Sequence, residues 1–523
     1  RVVRYVTGPH TSVTDKGSGV AAIGVVDDLV PGPEPSRPPT PAPAEGLAFR
    51  PPRLSDPRLH VAAVVVSVQI LGQVALGFDL SIAQILVSLL TAATIEILLT
   101  APRTRIVAWP ASALLTGNGI ALILRVPGTE HGDWWSMRGW YVFAATSAIG
   151  VLSKYVIRWR DRPLFNPSNM ALVLTFLVLG AGIADPQDLW WGPMSPGLAL
   201  TYAVILVGGV VVTRRLRLLM VSAVFWGIFA ALMAVLAAVG HSMTARWNLG
   251  PVAGMQYWST LALSPEVLIF VFFMITDPRT GARGRTGGMI YAAGVAMASS
   301  VLIAFQTTEY ATKVALLSGL VLVCAVRPLI ERLAPLGGTD APLAWFAARR
   351  SRPITASLVC IAVLALVVIG GSVAEPPAPV VAPGSRPTVE LTAAQRPEVE
   401  LGSGLATVGG SFDRADAERV VTDVLGDVVL ADRAAAEGDQ SLAAAVATGP
   451  FLEELEERPR SAVPSRTFDT AVVDVVHDQA DFQAQPRLAV TVVGTADGEP
   501  WSSTYHVLAT TADARIEREV AGD

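Results

Sequence analysis

A chain of 523 residues is longer than one ordinary domain and implies at least two units. Hydrophobic residues make up 52% and charged residues only 16%, against about 25% charge in soluble globular chains, which excludes a purely soluble protein. The net charge of −5 is unevenly spread: residues 375–523 carry −15 and residues 1–374 carry +10, and so acidic a tail argues against nucleic acid as a partner.

Residues 1–56 hold no long periodic block, and the run Pro31–Pro43 is built on prolines that fix φ and remove donors. They are expected to be a disordered, Pro-rich cytoplasmic tail. No basic region followed by a short apolar one opens the chain, so no cleavable signal peptide is expected.

Apolar blocks follow at about 59–76, 81–100, 106–126, 139–157, 167–183, 197–213, 219–239, 260–276, 287–305, 312–333 and 354–374. Each is near the ~20 residues that a membrane helix needs. The spacing predicts an α-helical polytopic membrane protein with about eleven transmembrane helices. Loops after the even-numbered segments hold 17 Lys and Arg, from Arg103 to Arg352; the alternate loops, with their helix ends, hold Arg125, Arg138, Arg246 and Lys313. Positive charge stays inside. The N-terminus is therefore expected in the cytoplasm and the C-terminus outside, in a bacterial plasma membrane. Trp134, Trp135, Trp140, Trp190, Trp191, Trp247 and Trp258 lie on the outer side, where an aromatic belt accounts for them.

Residues 57–335 form the expected ten-helix core. Residues 336–375 read as an amphipathic connector and the eleventh helix, 376–400 as a Pro-rich linker and 401–523 as an acidic extracytoplasmic α+β domain. In that domain Arg414–Arg433 and Ser441–Glu456 read as helices, and Thr467–Val476, Arg487–Gly494 and Ser502–Thr510 as strands. Helices followed by an antiparallel sheet suggest an NTF2-like or cystatin-like domain.

Cys324 and Cys360 both sit in apolar blocks without a CxxC, and no His pair has metal-ligand spacing. Two buried small side chains and no metal site are expected. Three stretches depart from plain membrane helix. Leu115–Arg125 contains Gly117-Asn118-Gly119, expected to loosen the helix. Lys154–Asn169 brings a basic loop into Phe165-Asn-Pro-Ser168. Leu263–Arg279 places Pro265 and Glu266 in an apolar segment and closes on Met274-Ile-Thr-Asp-Pro278. Glu266 is the preferred ion or proton ligand, with a structural cap or an ion pair as the plainer alternative. Glu96 lies near enough to the inner end to snorkel, and Asp277 reads as a turn or a local ion pair.

These three stretches, Thr116-Gly-Asn-Gly-Ile-Ala-Leu122, Lys154…Phe165-Asn-Pro-Ser168 and Phe273-Met-Ile-Thr-Asp-Pro278, resemble the hallmark segments of the RnfD/NqrB family of membrane electron-transport subunits. They are closest to its UnbU-like branch, often labelled enediyne biosynthesis proteins. The resemblance covers about 57–335 and implies two inverted five-helix halves, with the eleventh helix added. The third and eighth segments then occupy equivalent positions, and Thr116, Asn118, Ser264 and Glu266 are expected to line one central site. The candidate cofactor-binding set is Thr116, Gly117, Asn118, Gly119, Asn166, Ser264, Glu266, Thr276 and Asp277.

Family members are subunits of redox-driven ion pumps that hold flavin, including FMN esterified to a threonine in a Ser-Gly-Ala-Thr motif. That motif is absent: Thr91-Ala-Ala-Thr94 lies within the second segment, and Glu309-Tyr-Ala-Thr312 lacks the Ser-Gly. Covalent FMN is therefore not expected, and non-covalent FMN or riboflavin is the implied cofactor. The first functional reading is a subunit serving electron transfer coupled to ion transport, at most one part of a redox-driven membrane complex. The second is a non-redox transporter on the same scaffold. The third is a membrane-anchored interaction protein whose outer domain recruits a partner. Expected partners are the lipid bilayer and other membrane or extracytoplasmic subunits.

Overall fold

A computed structural model describes residues 48–51, 56–129, 131–188, 194–245, 247–248, 251–334, 342, 345, 348–374, 389–408, 412–460, 462–476, 487–508 and 515–522. Most of the expected N-terminal tail and of the connector after 335 lies outside them, as do Trp190, Trp191 and Arg246. Residues 48–50 were expected in the disordered tail. They form instead a short strand, Ala48–Arg50, paired in parallel with Ile106–Ala108.

Each apolar block contains a helix. In chain order these are α1 Pro57–Ala75, α2 Ile82–Thr104, α3 Ala111–Ile123, α4 Trp140–Val156, α5 Pro167–Leu179, α6 Pro196–Arg215 and α7 Leu219–Ala238. Then come α8 Gly254–Leu263, α9 Pro265–Ile269, α10 Arg285–Ile303, α11 Glu309–Leu333 and α12 Ser351–Val373. Among the described residues eight stretches are long and apolar enough to cross a membrane, the α8–α9 stretch counting as one; α3, α4 and α5 are shorter. This is the architecture of a polytopic helical membrane protein. On α12, Ile354, Leu358, Ile361, Leu364 and Ile369 are all exposed, a surface that suits lipid rather than water. Cys360 shares that exposure, which corrects the expectation that both cysteines are buried; only Cys324 is.

Local chemistry sets the helix ends. Asp56, Asn166 and Ser195 cap α1, α5 and α6 with a side-chain acceptor, and each is followed by Pro at the first helical position. Ser81 and Gln84 form a reciprocal capping box on α2.

Two expectations about helix breaks divide. The eighth segment is broken, at Ser264-Pro265, and runs on into a π-helical turn, Phe270–Met274. The third is not broken. α3 is continuous through Gly117-Asn118-Gly119, and its glycine serves packing: a Cβ on Gly117 would stand 2.7 Å from the Ser88 carbonyl oxygen. Ser88 Oγ closes that contact by donating to the Gly117 carbonyl at 2.8 Å. The block is also shorter than 106–126, because Ile106–Ala108 and Leu124–Arg125 are strand residues.

Side-chain bonds gather the loops at each end of the bundle. At the arginine-rich end, Arg327 is 1% exposed and donates to the carbonyls of Pro163, Arg279 and Thr280. Arg162 donates to the carbonyls of Pro278, Arg279 and Gly281. At the opposite end Arg125 pairs with Asp79 at 2.6 Å and with Asp185 at 3.4 Å.

The C-terminal domain begins earlier than expected. Residues 389–400 belong to it rather than to the linker, since Leu391 and Val399 are buried in its core. Its sheet has the order β5-β4-β3-β2-β1, with β1 Glu398–Leu401, β2 Arg466–Val475, β3 Arg487–Ala496, β4 Glu499–Leu508 and β5 Ile516–Ala521. β1 pairs with β2 in parallel, and the other pairs are antiparallel. Asp497 and Gly498, both at positive φ, turn β3 into β4, as a two-residue hairpin requires. The core is closed by α13 Arg414–Glu437, α14 Gln440–Val446 and α15 Gly449–Glu457. One helix was expected over Ser441–Glu456; two form, because Ala447 bridges to Ile516 and Thr448 donates to the Ile516 carbonyl.

Arg466 grips Asp432 of α13 through two bonds, at 2.5 and 3.1 Å, and lies over the Trp501 ring. Tyr505 is buried beside them and donates to Glu519. Burial, reinforced by the Glu519 carboxylate, holds its phenol protonated well above the ordinary tyrosine range. A raised folded value gives stability that is complete below the unfolded value of about 10 and is lost as pH rises past it. The denaturation midpoint of this domain, read by pulse proteolysis, is expected to fall between about pH 10 and 11. Tyr505→Phe is expected to flatten that fall; an unchanged slope would refute the assignment.

Candidate functional site

The three unusual stretches converge on one cavity of about 410 Å³ at the arginine-rich end. The first supplies Leu115, Thr116, Gly119 and Leu122 from α3. Lys154, Asn166 and Ser168 come from the second, and Phe272, Phe273, Thr276 and Asp277 from the third. α1 and α6 close the remaining side with Val61, Val65 and Val212.

Lys154 is 8% exposed. Its ammonium donates to the Ser112 carbonyl at 3.0 Å and the Ser112 hydroxyl at 3.2 Å, with Glu96 3.7 Å behind it. Glu96 therefore faces a buried amine rather than snorkelling. Asn166 accepts from Ser168 Oγ and from the Asn169 N–H, and donates to the Met274 carbonyl at 3.2 Å. That last bond fixes the start of α5 to the π-helical turn. Thr116 donates to the Ser112 carbonyl, and Thr276 to the Phe272 carbonyl, each one turn back. Asp277 accepts from the Arg279 N–H and the Thr280 hydroxyl, both at 2.9 Å, which makes it a turn residue. Asp56 and Arg58 stand at the rim. Burial pushes the Asp56 carboxyl up, but the bonds from Arg58 outweigh it and hold it below its ordinary value.

Five of the nine candidate residues thus line one cavity: Thr116, Gly119, Asn166, Thr276 and Asp277. Gly117, Asn118, Ser264 and Glu266 do not, so the expected central grouping of Thr116 and Asn118 with Ser264 and Glu266 does not form there. Gly117 packs on α2. Asn118 is buried, and its amide finds no hydrogen-bond partner among the described residues. Ser264 caps α9 by accepting from the Val267 N–H.

Glu266 belongs to a separate ionic cluster at the opposite end. There Lys313 Nζ lies 2.6 Å from Asp188 and 3.3 Å from Glu266, and it also pairs with Glu309 one turn before it. The sequence reading counts Lys313 only as a charge at a loop or helix end and gives neither Asp188 nor Glu309 a place in a site. The Glu309–Lys313 spacing of four residues on a helix was the available signal. Among the described residues no group of His, Cys, Asp and Glu has the arrangement of a metal site.

An ammonium, the guanidinium-bearing residues Arg58 and Arg279 and the carboxylates Asp56 and Asp277 border a chamber whose remaining wall is largely apolar with some hydroxyl and amide groups. Its volume lies within the roughly 300–1,000 Å³ of ligand pockets, and a few placed polar groups in an apolar wall are what orient a ligand. The arrangement suits a partly apolar molecule with hydrogen-bonding edges. No family model matches the chain, and no curated protein matches it.

Proposed function

We propose that the chain is a membrane subunit of the RnfD/NqrB type, most similar in its motifs to the UnbU-like branch, which binds flavin non-covalently and serves electron transfer coupled to ion movement. The observation that carries this reading is the convergence of three motifs, from separate parts of the sequence, on one cavity. Flavin, when bound, supplies reversible electron acceptance. Lys154, Asn166 and Ser168 would hold its polar edge, and Leu115, Leu122 and Phe273 its ring faces. Covalent attachment at Thr312 fits poorly, since that residue is 2% exposed in the first turn of α11.

The helix packing supports two inverted halves plus α12. α2 packs on α3 and α4, and α4 on α5. In the same order α7 packs on α8 and α10, and α10 on α11, while α1 meets α6. With the arginine-rich end inside a bacterial plasma membrane, the cavity opens toward the cytoplasmic side and the C-terminal domain lies outside, available to other subunits. Its helices followed by a mostly antiparallel sheet support reading that domain as NTF2-like or cystatin-like.

The purified protein is expected to show flavin absorbance, or to acquire it on reconstitution with FMN or riboflavin. Lys154→Met is expected to weaken retention at least about tenfold, the effect of losing one charged hydrogen bond of about 1.5–3 kcal/mol. Wild-type protein that carries no flavin before or after reconstitution would sink the reading. The Lys313 cluster favours a second reading, a non-redox transporter. It requires Glu266→Gln to abolish ion or solute flux in proteoliposomes, and unchanged flux would remove it.

A further inference from the structure

Across the Asp277–Gly281 turn from the first cavity lies a second, of about 750 Å³. Arg217, Arg283 and Arg285 line it. At this end Arg162 and Arg327 hold backbone carbonyls and Arg58 pairs with Asp56, while other loop arginines, Arg103 and Arg349 among them, make no side-chain hydrogen bond or ion pair among the described residues. The side chains of Arg217, Arg283 and Arg285 make no hydrogen bond or ion pair among the described residues. The one carboxylate in the lining, Asp277, already accepts from Arg279 and Thr280. Three positive charges therefore face the space against one negative charge that is already bonded.

The backbone adds to this. α10 starts at the cavity edge with Gly284 at φ 77° as its N-cap and no side chain capping it. The first N–H groups of a helix lack partners within it and form its positive end. Unpartnered guanidinium groups beside a helix N-terminus form an anion site, with oxygen-rich anions such as phosphate the best match. The rest of the wall is apolar, from Leu218, Val221 and Met289. Met220, also in the lining, is 44% exposed at the start of a membrane-type helix. A site with a cationic rim and an apolar floor at the end of a helix bundle suits a phosphate attached to an acyl chain.

We propose that this second cavity binds a phosphate group, that of an anionic phospholipid headgroup, with Arg217, Arg283 and Arg285 around it and the acyl chains along α7. The positive-inside pattern alone would spread arginines over the loops; it does not require three of them around one cavity. The proposal is independent of any flavin in the first cavity.

The test uses the full chain in a neutral detergent, with melting temperature and native mass spectrometry as readouts. Added phosphatidylglycerol is expected to raise the melting temperature and to be retained at one molecule per chain, whereas phosphatidylcholine does neither. The Arg217→Gln/Arg283→Gln/Arg285→Gln protein is expected to need at least tenfold more phosphatidylglycerol for the same rise. If that protein does not fold, Arg283→Gln alone, at an exposed position, is read instead and is expected to need severalfold more. Arg103→Gln/Arg349→Gln removes two arginines that do not line the cavity and is expected to respond as wild type. Inorganic phosphate that protects as well as the lipid, with the protection lost in the triple variant, would uphold the phosphate site and overturn the lipid as its source. The proposal is overturned if neither probe protects, or if the control variant loses as much response as the cavity variants.

Discussion

Lys313→Met is expected to cost the membrane core about 3–5 kcal/mol and to remove most of the monodisperse protein from a detergent extract. The ammonium is 9% exposed and touches carboxylates from three places: Glu309 on its own helix, Glu266 on α9 and Asp188 in the loop after α5. Removing the amine leaves these acids close together in a poorly hydrated site, where like charges repel strongly and cannot be dispersed by solvent. Much of the cost is therefore repulsion and lost solvation rather than the value of any one bond. A second substitution tests this: Lys313→Met/Glu309→Gln is expected to recover part of the loss, because one negative charge leaves with the positive one. Glu266→Gln alone, at the longest of the contacts with a stated distance, is expected to cost least. A Lys313→Met protein that melts within about a degree of wild type would show that the cluster does not hold the core.

Arg327→Met is expected to loosen the arginine-rich end by about 3 kcal/mol or more, judged from three charge-assisted bonds to buried carbonyls. Arg327 Nη1 reaches Thr280 at 2.6 Å and Arg279 at 3.3 Å, while Nη2 reaches Pro163 at 3.0 Å. A planar fork can serve both loops at once, whereas the compact ammonium of Arg327→Lys serves fewer carbonyls, so that variant is expected to fall in between. The same turn, Asp277–Gly281, walls both cavities. The local signature is faster hydrogen exchange in residues 275–285 of the Arg327→Met protein. Exchange there that matches wild type, even with a lowered melting temperature, would show that Arg327 does not hold this turn.

How much of this was legible in the chain depends on how local the cause is. Apolar blocks and Pro-led caps are local, so the helices stand where hydropathy and residues such as Asn166-Pro167 place them. The glycines flanking Asn118 were read as a loosened helix, since glycine marks both weak helix and close approach; only the presence of Ser88 opposite Gly117 decides between them. Two strands of the C-terminal sheet were missed for a related reason. β1 and β5 are edges, and Glu398-Val-Glu-Leu401 and Ile516-Glu-Arg-Glu-Val-Ala521 carry the charges that edge strands use against further pairing. The cavity was legible as three motifs but not as a set of contacts, because Lys154 and Ser112 are 42 residues apart. The Lys313 cluster was least legible: its partners come from a loop, a half-helix and a helix start, and no single window contains them.

That scattered origin has a consequence for how the protein is made. Lys313 follows Asp188 by 125 residues. At about 5–20 residues per second the ribosome delivers the acid about 6–25 s before the base. Over that interval Asp188, and then Glu266, pass into the membrane region without the amine that completes their site. The contact between α11, α9 and the loop after α5 therefore cannot close until α11 emerges, and a chain halted before residue 309 would reach the quality-control proteases with that contact unmade.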